Sequence, residues 1–152
     1  IIFAGAYTQE PLYSSNQNTY FLHGLADAGL GYLSHDWMAN TTDPFPAFSL
    51  LIHWTYAYGS TALFYVYHAV VMGIFIWSML GIISHVWDIK FFSRQYLAVF
   101  VVITALCSGA FELLSNTLLG LNVAGALQNG VAGQYILQKI FQPCNFGVFL
   151  LL

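Results

Sequence analysis

Six carboxylates and five histidines are the groups through which this chain could do acid–base or metal chemistry. Asp36 is the sharpest of them. It stands near the C-terminal end of a stretch, residues 18–38, whose apolar spacing predicts a helix, and a helix C-terminus disfavours further negative charge by about 0.3–1 kcal/mol. That placement suits a general base; an exposed loop acid without a role is spelled the same way. Glu112 differs, because it lies within an apolar run. An acid at membrane depth marks a functional site by default, facing the bundle interior, although pairing with a Tyr, Asn or Gln of another helix accounts for it equally well. Asp43 precedes Pro44-Phe45-Pro46, the pattern of a helix N-cap with proline in the first turn. Glu10 reads as a solvated acid following a span.

His23 and Asp27 are four residues apart and share a helix face, with His35-Asp36 further along. This spacing points first to surface hydrogen bonds and only secondarily to a divalent cation, so no metal ligand is assigned. His68 and His85 fall in or at the end of the longest apolar run. Membrane histidines ligate pigment or haem iron, but no matching partner is legible, and an interhelical hydrogen bond is the simpler reading. Cys107 and Cys144 have neither Cys-x-x-Cys nor haem-attachment spacing. Asn40-Thr41-Thr42 fits the N-glycosylation pattern, which matters only where the organism glycosylates. No cofactor can be named from the sequence.

The elements that must position these groups follow from an unusual composition. The chain of 152 residues is 59% apolar and 6% charged, whereas a soluble domain carries roughly a quarter charged residues. So few charges cannot build a water-facing surface, and a lipid environment follows. A net charge of −3 without a basic cluster excludes nucleic acid as a partner.

Residues 44–87 contain no Asp, Glu, Lys or Arg, and 62–87 is long enough to span a bilayer. A second span is expected over 96–114. The connection holds Lys90 and Arg94, two of the three basic residues, so the positive-inside tendency makes it cytoplasmic and sets residues 7–58 outside. Those outer residues carry Glu10, Asp27, Asp36 and Asp43 with no Lys or Arg. Within them residues 18–38 read as a helix along the membrane surface, and 47–58 as a helix launched by the Asp43 turn and ended by Gly59-Ser60. Residues 1–6 read as the end of an earlier span, 115–138 as an uncharged outer loop or re-entrant segment, and 140–152 as the start of a further span. Gly73 and Gly81 are expected to line a helix contact. The fold class is all-α, a polytopic transmembrane bundle with a juxtamembrane surface helix, and both chain ends look cut.

The runs Asn16-Gln17-Asn18-Thr19-Tyr20-Phe21-Leu22-His23-Gly24-Leu25, Asp36-Trp37-Met38-Ala39-Asn40-Thr41-Thr42-Asp43-Pro44-Phe45-Pro46, and Gly133-Gln134-Tyr135 through Phe141-Gln142-Pro143 resemble a group of bacterial, largely cyanobacterial, multi-pass proteins. Members of that group look like the GT-C superfamily of membrane glycosyltransferases. The resemblance implies glycosyl transfer at the extracytoplasmic face from a polyprenyl-phosphate sugar donor. It makes Asp36 the base for the acceptor hydroxyl, with Glu112 or Asp43 in support. It also implies an integral membrane protein of a bacterial inner or thylakoid membrane, with membrane lipids, a lipid-linked sugar and other membrane subunits as partners. The competing expectation is a non-catalytic subunit of a larger membrane complex that holds pigment or lipid.

Overall fold

The structure, a computed structural model, describes residues 11–14, 16–106, 109–118 and 141–143, with positions 2 and 120. Every regular element among them is helical: α1 (Gln17–Asp27), a 3-10 turn (Leu33–His35), α2 (Pro46–Tyr58), α3 (Leu63–Val86), α4 (Arg94–Leu106) and α5 (Gly109–Leu118). The all-α expectation holds for these residues.

Helix α3 dominates. Its 24 residues extend about 36 Å at 1.5 Å per residue, more than the ~30 Å hydrocarbon core of a bilayer. It is apolar on every side, and only 22% of its most apolar window is buried inside the chain. Phe64, His68, Val71, Met72, Ile76 and Leu80 form the buried stripe, while Val66, Val70, Trp77, Ile82 and Val86 face outward. A soluble core helix would be covered on most sides; this one leaves most of its apolar surface open.

α3 stops in a Schellman turn. Ile89 N–H donates to the Ser84 carbonyl at 2.8 Å, and Asp88 takes the left-handed position with φ 49°. The chain then reverses and α4 returns beside the C-terminal half of α3, burying Tyr96. A cluster of rings covers the turn. Phe91 lies 5.4 Å from Trp77 and 4.7 Å from Tyr96, centroid to centroid.

At the opposite end of α3, α1 and α2 form the most extensive helix pair. Gly24 permits their approach, since a Cβ there would stand 2.6 Å from both the Ser49 carbonyl oxygen and Ile52 Cβ. Helix α2 begins with Pro46 in its first turn, where a missing N–H costs nothing. It ends at Gly59, and Thr55 then ties it to α3, donating to Leu51 O at 2.7 Å and meeting the Tyr67 hydroxyl at 3.3 Å.

Two expectations need correcting. The surface helix does not run to Met38: α1 ends at Asp27 in a second Schellman turn, with Gly29 at φ 73° and Leu30 N–H donating to Leu25 O at 3.1 Å. Gly29 is thus a helix terminator. Over the run 96–114 the described residues are helical in α4 and again in α5, residues 107 and 108 lie outside the described set, and among the described residues α3 is the one helix long and apolar enough to cross a membrane. Gly73 and Gly81 face open space, with no atom of the described chain within 4 Å of a Cβ built on either. Residues 1–6 apart from Ile2, Glu10, and most of 115–138 and 140–152 lie outside the described residues.

Candidate functional site

Where α1, α2 and the start of α3 meet, the chain builds an aromatic cap. Phe21 sits at the junction of all three, 4.9 Å from Phe64 and 5.8 Å from Phe48 between ring centroids. Phe141 is fully buried against the same rings, 5.4 Å from Phe48 and 5.9 Å from Tyr67. Such tilted pairs add about 0.5–1.5 kcal/mol each beyond area burial. Gln17, at the first position of α1, is completely buried and satisfies the backbone around it. Its Oε1 accepts from Tyr13 N–H at 2.7 Å, and its Nε2 donates to Phe141 O at 3.1 Å.

Beside this cap lies a cavity of about 390 Å³ lined by Phe45, Pro46, Ala47, Phe48, Leu51 and Pro143. Its wall is almost wholly apolar. The proline-rich start of α2 explains that character: Pro46 offers no N–H, and the Phe45 carbonyl is already used by Phe48 and Ser49 N–H at 2.9 and 3.0 Å. An ionisable side chain bonded to a lining residue is Asp43, whose Oδ1 accepts from Phe45 N–H at 2.8 Å. Asp43 is therefore a turn acceptor two residues ahead of α2, with a half-buried carboxylate beside the cavity's Phe45. The N-cap of α2 is Phe45 and receives no side-chain cap, so Asp43 is not the expected helix N-cap but closes the turn just before it.

Asp36 is placed differently from expectation. The α-helix meant to end there stops at Asp27, so Asp36 follows only the three-residue 3-10 turn. No full helix dipole reaches it. Its Oδ1 accepts from Met38 N–H at 2.8 Å, and its carbonyl accepts from Asn40 Nδ2, also at 2.8 Å. It lines neither of the two cavities described here. Glu112 falls on α5, but its side chain lies outside the described residues, as does any meeting with Asp36.

Two of the histidines make contacts within the chain. His23 Nδ1 lies 3.1 Å from Ala39 O, fastening the 37–40 turn to α1. His68 is buried in α3 and has a partner, while His85 is exposed. No group of three His, Cys, Asp or Glu converges among the described residues.

Sequence reasoning missed Gln17, the Tyr13–Tyr56 hydroxyl pair and the cavity. Tyr13 and Tyr56 hydroxyls share a short hydrogen bond. Burial, followed by that bond, pushes the Tyr56 phenol well above its ordinary value, so it stays neutral. Only the polar Gln at a helix start hinted at any of this; the rest depends on residues far apart in the chain. The arrangement offers an apolar receptacle with a carboxylate bonded at its edge. No family model, curated protein or solved structure matches this chain.

Proposed function

We propose that this chain is an integral membrane protein whose helical cap receives the apolar tail of a lipid-like ligand. The cavity at the start of α2 carries the reading: about 390 Å³ with an apolar wall, formed by Phe45, Phe48, Leu51 and Pro143 among others, suits a hydrocarbon or isoprenoid chain. The exposed apolar sides of α3 support insertion in a bilayer, and α4 with α5 would complete a polytopic bundle of the kind found in a bacterial inner or thylakoid membrane. In this topology residues 88–94 are cytoplasmic and the cap is extracytoplasmic. Cysteines introduced at Phe92 and Asn40 test it: an impermeant thiol reagent added to intact cells labels position 40 and spares 92, and the reverse pattern overturns the orientation.

Ligand binding is tested with a diazirine-bearing acyl or polyprenyl probe on the purified chain. Ala47→Trp fills the cavity and should cut cross-linking about fivefold or more, as expected when a receptacle of this size is blocked. Equal cross-linking of both forms removes the proposal.

A second reading keeps the same tail and adds chemistry to it: GT-C-like transfer from a polyprenyl-phosphate sugar. The Asp43 carboxylate, bonded to a residue that lines the cavity, favours it. On this reading a base among Asp36, Asp43 and Glu112 takes the acceptor proton, and the amide variant of that base costs about 10²–10⁴ in rate with expression unchanged. If none of Asp36→Asn, Asp43→Asn and Glu112→Gln slows consumption of a lipid-linked sugar, or no consumption occurs, the non-catalytic subunit reading stands.

A further inference from the structure

A second apolar depression lies at the other end of α3, where the α3–α4 turn is built. It is a groove of about 540 Å³ lined by Ile83, Trp87, Ile89, Gln95, Val99 and Ile103. Five of these six are apolar, and both walls are helical, Ile83 from α3 facing Val99 and Ile103 from α4. The turn that joins the walls carries unusual charge. Lys90 follows the lining residue Ile89, and Arg94 precedes the lining residue Gln95. Both are exposed, and neither forms a side-chain hydrogen bond or ion pair among the described residues.

From the cap this end is distinguished in sign: every described acid of residues 11–43 is unaccompanied by a base, whereas here Lys90 and Arg94 outnumber Asp88. Exposed Trp87 stands at this end, the ring type that settles where hydrocarbon gives way to headgroups. An apolar groove open between two helices, ending at paired cations with no carboxylate partner, matches a molecule that is itself apolar with an anionic end.

We infer that this groove binds an anionic phospholipid, one acyl chain lying along Ile83, Val99 and Ile103 with its phosphate at Lys90 and Arg94. A free phosphate would leave the apolar walls unoccupied, and a zwitterionic lipid would bring its own ammonium to the two cations. The charge complementarity selects the anionic lipid. Gln95, exposed at the mouth, is a hydrogen-bond donor for the glycerol or phosphate oxygens. The site is separate from the apolar cavity at the cap and stands or falls independently of it.

The test is lipid retention by the full chain. The protein is reconstituted in nanodiscs of equal parts phosphatidylglycerol and phosphatidylcholine, transferred to mild detergent, and its bound lipids are counted by native mass spectrometry. Phosphatidylglycerol should be retained in clear preference. A basic residue near an anionic headgroup is worth about 1 kcal/mol, or about fivefold, so Lys90→Gln with Arg94→Gln should lower the preference fivefold or more. These two exposed positions leave the packing untouched. Val99→Trp, which fills the groove, should reduce retention of the lipid while leaving both cations in place, and inorganic phosphate should not displace it. No preference in the native chain, a double variant that loses less than fivefold, or displacement by phosphate alone each overturns the assignment.

Discussion

Gln17 and Phe141 are joined by a hydrogen bond across 124 positions of chain, the Nε2 of the first donating to the carbonyl of the second at 3.1 Å. The same side chain accepts from Tyr13 N–H at 2.7 Å. One buried amide thus bonds two backbone groups from segments far apart in the chain. The amide is suited to this because it is both donor and acceptor, which neither Glu nor Leu of similar size would be.

Gln17→Leu should accordingly be costly. It preserves volume but removes the acceptor of the Tyr13 N–H, at about 1–3 kcal/mol if that group is left unpaired. A lowered melting temperature, with the loss concentrated in the cap, is expected. Hydrogen exchange at Tyr13 as slow in Gln17→Leu as in the native chain would rule the bridge out.

Gly24→Ala should weaken the α1–α2 pair, because the new Cβ would meet the Ser49 carbonyl, a backbone atom that cannot step aside, at 2.6 Å. Overpacking of this kind costs about 1–3 kcal/mol. Gly73→Ala and Gly81→Ala provide the contrast. Each opens onto space within the chain, so the purified protein should keep or slightly gain stability through the better helix propensity of Ala. Thermal denaturation of the three variants side by side distinguishes a contact glycine from two open ones.

Asp88→Gly should stabilise the α3–α4 turn. Asp88 holds φ 49° at the end of a helix whose dipole is negative there, and glycine relieves both the left-handed backbone and the charge, worth about 0.5–1 kcal/mol together. A rise of a few degrees in melting temperature is expected; a fall would mean that the carboxylate has a partner of its own.

Tyr56 predicts an alkaline limit. Its phenol is held above the ordinary value of 10.0 by burial and by Tyr13, so the folded chain keeps a proton that the unfolded chain releases. Stability is then level below about pH 10 and declines as pH rises beyond it. Tyr56→Phe removes the ionising group and should flatten the decline above about pH 10, where a free phenol ionises and the buried one does not, across the interval of about pH 10–12. Melting curves across that interval decide it.

What could be read from the sequence was local. The uncharged run 62–87 corresponds to α3 at Leu63–Val86 because an uninterrupted apolar stretch has one economical conformation. The Asp43-Pro44-Phe45-Pro46 turn foretold α2, whose Tyr58 end matches. The end of α1 was misread because Gly29 fits both a packing stripe and a helix stop, and only the left-handed backbone separates the two. Asp36 lost its helix for the same reason. The cavity was illegible, since Pro143 joins Phe45 and Leu51 only through tertiary folding, and no period or spacing encodes that meeting.

Phe141 also has a consequence for the order of events during synthesis. Its ring fills the space among Phe48, Phe64 and Tyr67, all of which leave the ribosome long before it. α1, α2 and the start of α3 must therefore wait with an unfilled aromatic hollow while the rest of α3, α4 and α5 are still being made. Closing so distant a contact is slow compared with forming the helices themselves. Until residue 141 emerges, the nascent chain presents that hollow to whatever insertion factor or chaperone accompanies it.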